Sequence, residues 1–193
     1  MNISSPSFGK KIPIATCKVQ DKKTRQFEPV TIYKVDCADS SDIREITDLQ
    51  GSWRFKKRIV EDMNSKHQLK KYGEDYGYNA FYVIQSEDNT ILGMSETEEI
   101  DDGIHNINYI ETKSPKRFVG QVLIAAIGQD VINQYGKALT VTEPEGDAYE
   151  FYTDVCGFSE IDDDYLRMTS RQIDRFIEQT EDRTNSMLFD IRG

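Results

Sequence analysis

Histidine is scarce in this chain, with only His67 and His105 among 193 residues. Their distance apart in sequence gives no metal-ligand spacing, so no metal site is expected and each reads as a surface or packing residue. Cysteine is nearly as rare. Cys17, Cys37 and Cys156 are odd in number and widely spaced. That excludes a disulfide framework and a zinc site, and points to reduced thiols in a cytoplasmic setting. No apolar run approaches the roughly 20 residues that cross a bilayer, so no membrane segment is expected. The opening residues, MNISSPSFGKK, also lack the apolar core of a signal peptide. Basic residues are in deficit, 24 Lys and Arg against 34 Asp and Glu, for a formal net charge of −10. That argues against nucleic acid as a partner, because phosphate neutralisation needs basic surface.

The deficit is uneven. Residues 1–28 hold six Lys and Arg against two acids, a charge of +4 that leaves −14 on the rest. The basic segment reads as a solvated edge hairpin; the alternative is an arm that docks on the acidic body or on something else. What is present suffices for one folded domain. A chain of this length, 37% hydrophobic and 30% charged, buries a core without staples.

Read in order, Ile12–Val19 and Phe27–Val35 are strands joined by the polar turn Asp21–Arg25, with Pro13 suited to an edge. Asp39, Ser40 and Ser41 are N-cap types, and the pattern then predicts helices over 41–49 and 52–68, broken near Gly51. Tyr72–Tyr78 is a loop whose tyrosines either line a substrate mouth or are half-buried loop aromatics. Ala80–Gln85 and Thr90–Glu98 form a hairpin about Ser86–Asn89. Glu96, Glu98, Glu99, Asp101 and Asp102 then cluster around Gly103, as a charged loop or as a surface that attracts an amine. Ala138–Thr142 is a short buried strand, and Pro144 is expected to open a helix that ends at Gly157. Phe158–Ile161 and Tyr165–Met168 suggest a closing hairpin, and Thr169-Ser170 caps a last amphipathic helix.

The chain is organised around residues 106–134. A strand breaks at Ser114-Pro115, passes through Lys116-Arg117 with Gly120 close behind, and becomes a helix carrying Val119, Val122, Leu123, Ala126 and Ile127. Tyr135-Gly136 stops that helix. A helix start has N–H groups without internal partners and a partial positive charge. A basic, glycine-bearing turn in front of it suits a phosphate or pyrophosphate, although an ordinary strand–helix connection has the same parts.

Three local signatures then coincide in order. The hairpin FYVIQSEDNTILGMSE, the run Arg117-Phe118-Val119-Gly120-Gln121-Val122, and Ala148-Tyr149-Glu150-Phe151-Tyr152 leading to Gly157-Phe158 together resemble the GCN5-related N-acetyltransferase superfamily over residues 30–168. The resemblance implies an α/β (α+β) fold, with a mixed, mostly antiparallel central sheet flanked by helices. Residues 1–29 would add an N-terminal strand to the sheet, and residues 169–193 a C-terminal helix and tail. Three departures stand out. Val122 replaces the usual Gly or Ala, so the backbone is expected to approach a pyrophosphate less closely. Glu145 stands where many members have an asparagine that contacts the pantetheine arm. Four residues, not three, separate Tyr152 from Gly157.

The resemblance further implies acetyl-coenzyme A as co-substrate, lying between strands 106–112 and 138–142. Ile110, Glu111 and Thr112 would pair with its pantetheine arm and Arg117, Phe118, Val119, Gly120, Gln121 and Val122 would cradle its pyrophosphate, with Glu145 and Tyr152 also on the cofactor. Tyr152 matches the tyrosine that often supplies a proton to the departing thiolate; its other reading is a core aromatic beside Phe151. Glu111, then Glu143, are the candidate bases. Neighbours on a strand face opposite ways, so only one of Ile110 and Glu111 faces the cleft, and the sequence leaves open which. The implied activity is direct acetyl transfer to an amine on a small molecule, a polyamine or a protein, and the acidic cluster leans towards a cationic acceptor. The alternative, motivated by Val122 and Glu145, is a catalytically silent binding or regulatory module. A different acyl group and a homodimer both stay open.

Overall fold

Alternation along the second strand decides how the molecule is layered. In Phe27–Val35 (β2), Val30 and Ile32 face one side of a sheet, while Tyr33 and Val35 face the other, as a side-chain period of two requires. Each side meets its own helices. The computed structural model describes residues 11–35, 37, 40–72, 79–113 and 115–190. Along them run β1 (Ile12–Asp21), β2, α1 (Ser40–Thr47), α2 (Lys56–Lys71), β3 (Asn79–Ser86), β4 (Ile91–Asp101) and β5 (Ile104–Thr112). There follow β6 (Lys116–Arg117), α3 (Val119–Asn133), β7 (Ala138–Thr142), α4 (Asp147–Glu150), β8 (Ser159–Asp162), β9 (Tyr165–Thr169), α5 (Ser170–Thr184) and β10 (Phe189–Asp190).

The strands form one sheet in the order β10-β1-β2-β3-β4-β5-β7-β9-β8, with β6 attached to β1. The pairings are antiparallel except β5 with β7. That one parallel pair needs a crossover, and α3 supplies it. Its run VLIAAI is apolar all round, as a fully buried helix should be, and Val122, Leu123, Ile124 and Ile127 are completely enclosed. Ile173 and Phe176 of α5 complete this layer, and β1 adds Cys17 and Val19 to it. On the other face, Ile43 and Ile46 of α1 and Ile59 and Met63 of α2 pack on Phe81 and Met94.

Several boundaries differ from the sequence reading, each for a local reason. Helix α2 starts at Lys56 rather than near 52, because the Glu111 carboxylate takes the Phe55 N–H at 3.0 Å and fixes the start there. Pro144 does not open a helix; Glu143 (φ 51) and Gly146 (φ 43) turn the chain, and α4 begins at Asp147. Pro13 sits at a bulge in the β1–β2 register, and β1 is covered over Ala15-Thr16 by β10. The stop of α3 is shared: Tyr135 takes the left-handed conformation (φ 63). Gly136 is needed for closeness, since a Cβ there would lie 2.3 Å from Val131. The last helix begins as expected, with a capping box between Thr169 and Gln172. His67 Nδ1 donates to the Cys37 carbonyl, 2.7 Å away, and the three cysteines are buried thiols. Asp39, Ser114 and the tyrosines at 76 and 78 lie outside the described residues. Among the described residues no helix is long and apolar enough to cross a membrane.

Candidate functional site

The site begins where two parallel strands part. Ile104, His105 and Asn106 pair with Ala138, Leu139 and Thr140, and there the pairing ends. Beyond that point Ile107–Thr112 pairs with β4 alone among the described residues, so its other edge is open. Side chains lace the fork. Thr140 and Thr142 each donate to Asn106 Oδ1 at 3.1 Å, and Asn106 Nδ2 donates to Asn108 Oδ1 at 2.8 Å. Asn108 is the surplus residue of a β-bulge, because Glu96 faces Tyr109 while Thr97 faces Ile107. Such bulges bend a strand and re-aim its side chains. Between the parted strands lies a cleft of about 600 Å³.

The bulge also settles which residues look where. Ile107 and Ile110 join the α3 core, while Tyr109 packs on the α1–α2 side against Phe55, ring centroids 5.2 Å apart. Glu111 follows Tyr109 to that side, with its carboxylate at the start of α2 rather than on the cleft wall. A carboxylate there also meets the favourable end of the helix dipole. Glu143 does line the cleft, as do Glu145 and Tyr152. Glu145 reaches across the mouth to Arg54, Nη2 to Oε2 2.5 Å. That ion pair is well exposed, so it ties two loops together with little gain in stability.

Beyond the far end of β5 the chain turns through β6 into α3. Phe118 sits at φ 71, a costly conformation for a bulky residue. Glu143 on the other side of the cleft is left-handed too, and such strain clusters at functional sites. No side chain caps α3 and no acid occupies its first turn, which leaves its first N–H groups available to an anion. The Arg117 side chain is exposed and enters no ion pair among the described residues. Lys116 is instead committed to Glu28 and Asp21. Gly120 gives room to a neighbouring ring, since a Cβ there would stand 3.1 Å from Phe151 Cζ. Val122 points into the core, fully buried, so its bulk does not intrude on the loop. Gln121 is buried on the same helix.

Tyr152 is only 4% exposed, yet it lines the cleft. Burial, and then the neighbouring Cys156, push its hydroxyl well above the usual phenol range. The ring is held edge-on by Phe151 and Phe158, with centroids 5.6 and 5.4 Å away. Helix α4 runs straight on into a π-helical turn over Phe151–Cys156. That turn accounts for the unusual spacing, because one residue inserted into an α-helix is accommodated as a π-turn, often at a functional site.

One carboxyl that sequence reasoning placed on an acidic surface is internal. Glu96 is 1% exposed, and its Oε1 accepts from Asn79 Nδ2 at 2.7 Å while Oε2 is buried without a hydrogen-bond partner. Burial, with the Asp62 charge adding to it, lifts its carboxyl to about 7. The sequence signal was the alternation Met94, Glu96, which puts both on the buried face. Glu98 lies two residues further along β4 and accepts from Asn108 Nδ2 at 3.2 Å. Among the described residues, no group of three or more His, Cys, Asp or Glu could hold a metal ion.

No protein-family model and no curated protein matches this sequence. Solved structures do match in fold. A protein from Desulfovibrio desulfuricans described as a putative acetyltransferase of the GNAT family superposes with a TM-score of 0.53 at 16% identity, covering 73% of this chain and 99% of that one. A spermidine N-acetyltransferase from Vibrio cholerae gives 0.51 at 13% identity, covering 75% and 95%. A chain of the KacTA–DNA complex gives 0.54 at 17% identity, covering 78% and 99%. The parted parallel strands, the crossover helix and the closing hairpin are thus those of the GCN5-related N-acetyltransferase fold, which this chain has.

Proposed function

We propose that this chain transfers an acetyl group from acetyl-coenzyme A to an amine. The observation that carries the reading is the open strand edge at Ile107–Thr112, whose residues Ile107–Ile110 line the cleft and which leads on through β6 to an uncapped helix start. The residues present suit that co-substrate. The backbone of Ile110, Glu111 and Thr112 can hold the pantetheine amides as an added strand is held. The N–H groups of Phe118 to Gln121, with the Arg117 guanidinium, suit the pyrophosphate. When bound, acetyl-coenzyme A supplies an acetyl group activated as a thioester. Tyr152 Oη keeps its proton at the cleft wall and serves as the proton donor. Glu143 is the carboxylate placed to take a proton from the incoming ammonium, while Glu111 acts on the cleft only through its hold on α2. Glu143 and Glu145 at the mouth favour a cationic acceptor, and a spermidine N-acetyltransferase among the structural neighbours supports the same class.

Titration calorimetry tests the reading. Wild-type protein should bind acetyl-coenzyme A at micromolar affinity, and Arg117→Glu should weaken binding by about tenfold or more. Absence of heat on titrating well-folded wild type would remove the enzyme reading.

A further inference from the structure

The described part of the basic N-terminal segment pairs into the sheet as β1, with Lys11 on Glu45 of α1. It is tied to the start of the phosphate-facing loop. Strand β1 ends by pairing with β6, Gln20 opposite Arg117 and Asp21 opposite Lys116, and the Lys22 N–H donates to the Pro115 carbonyl at 3.0 Å. The turn that follows carries Lys22, Lys23 and Arg25, all exposed. Its shape is set by Asp21, whose Oδ1 accepts from the Lys23 and Thr24 N–H groups at 2.8 Å each. Of the nearby acids, Asp21 and Glu28 face Lys116 and Asp88 accepts from Ser86 and the Thr90 N–H, with Glu87 of the β3–β4 turn beyond them. The side chains of Lys23, Arg25 and Arg117 enter no ion pair among the described residues. Lys22 lies two residues beyond the partner of Arg117, about 7 Å along the strand. Lys22 thus stands opposite Pro115, and the cations of this turn flank the stretch that leads through β6 into α3.

We propose that the β1–β2 turn is a second phosphate clamp, in which Lys22, Lys23 and Arg25 bind the ribose 3′-phosphate of coenzyme A while Arg117 and the α3 start hold its pyrophosphate. This rests on the acetyl-coenzyme A reading above. The physical need is plain: a chain of net charge −10 must receive a polyanion, and its general field repels one. Screening leaves the nearest charges to decide, and at this loop they are positive. A phosphomonoester takes several charge-assisted hydrogen bonds from such side chains. The clamp makes the protein select the 3′-phosphorylated carrier over its dephosphorylated form.

The test compares acetyl-coenzyme A with acetyl-3′-dephospho-coenzyme A by calorimetry, on wild type and on the triple variant Lys22→Gln, Lys23→Gln, Arg25→Asn. Asparagine is chosen because residue 25 has φ 64 and Asn tolerates that region. Circular dichroism confirms the fold. Wild type should prefer the 3′-phosphorylated ligand by about tenfold, close to 1.4 kcal/mol. The triple variant should bind both ligands equally, at the wild-type affinity for the dephospho form. A preference that survives in the variant, no preference in wild type, or equal weakening of both ligands would overturn the clamp and leave the acetyl-coenzyme A reading standing. Failure of both ligands to bind folded wild type would overturn the two together.

Discussion

Replacing Glu96 by Gln should stabilise the protein, and only above a definite pH. Glu96 is enclosed on β4 with one oxygen on Asn79 and the other unpartnered. Burial raises its carboxyl from an ordinary 4.5 to about 7, with the Asn79 hydrogen bond opposing and Asp62 assisting. A raised folded-state value means that folding favours the protonated form. The associated stability is fully present below pH 4.5 and is lost as pH rises through 7. The difference of about 2.5 units, at about 1.36 kcal/mol each, is a penalty of about 3 kcal/mol that is complete above pH 8. Gln keeps the shape, accepts from Asn79 and carries no charge. Urea unfolding of wild type and E96Q at pH 4.5 and pH 8 measures the effect. The two should differ little at pH 4.5, and the variant should gain about 3 kcal/mol at pH 8. An equal difference at both pH values, or a loss at pH 8, would refute the reasoning.

Tyr152→Phe should lower kcat by about a hundredfold or more if its hydroxyl is the proton donor, with thermal unfolding nearly unchanged because the ring contacts to Phe151 and Phe158 remain. Steady-state rates alongside a melting curve check both halves, and an unchanged kcat would return Tyr152 to a packing role. Lys34→Met should destabilise the fold by about 3 kcal/mol. Its ammonium lies 3.0 Å from Asp130 Oδ2, a fully buried carboxylate that would keep the Tyr82 hydroxyl at 2.7 Å. Denaturant midpoints at pH 7 measure this, and a loss below 1 kcal/mol would show that Asp130 is satisfied by its other neighbours.

Much of the architecture was legible because it is local. The alternation in FYVIQSEDNTILGMSE and its turn residues specify β3 and β4, and VLIAAI between two strands specifies a buried crossover. What escaped depends on partners distant in sequence. The start of α2 is set by Glu111, 56 residues away. The burial of Glu96 follows from a helix laid over its face, and the pairing of β1 with β6 joins segments nearly 100 residues apart. Arg54 and Glu145 meet across the cleft for the same reason. Tyr152 on the cleft wall, and Arg117 and Phe118 at the turn into α3, could be proposed from pattern, whereas the orientation of Glu111 could not. It hangs on the bulge at Asn108, which no local propensity announces.

The π-helical turn has a consequence for how Tyr152 is aimed. An α-helix advances by about 100° per residue, so a surplus residue would ordinarily rotate everything on one side of it. Here the chain re-enters register at once: the Phe158 N–H bonds back to the Tyr152 carbonyl at 3.0 Å, and Gly157 (φ 80) releases the helix. Tyr152 is thus anchored by backbone and ring alike to Phe158, at the threshold of β8, while the Val155 carbonyl is held by Arg183 from α5 at 3.2 Å. The phenol takes its bearing from the sheet and the C-terminal helix. The loop ahead of α4, held instead by Arg54 on Glu145 and by the Asp164 carbonyl on the Glu143 N–H, is fixed independently of the tyrosine.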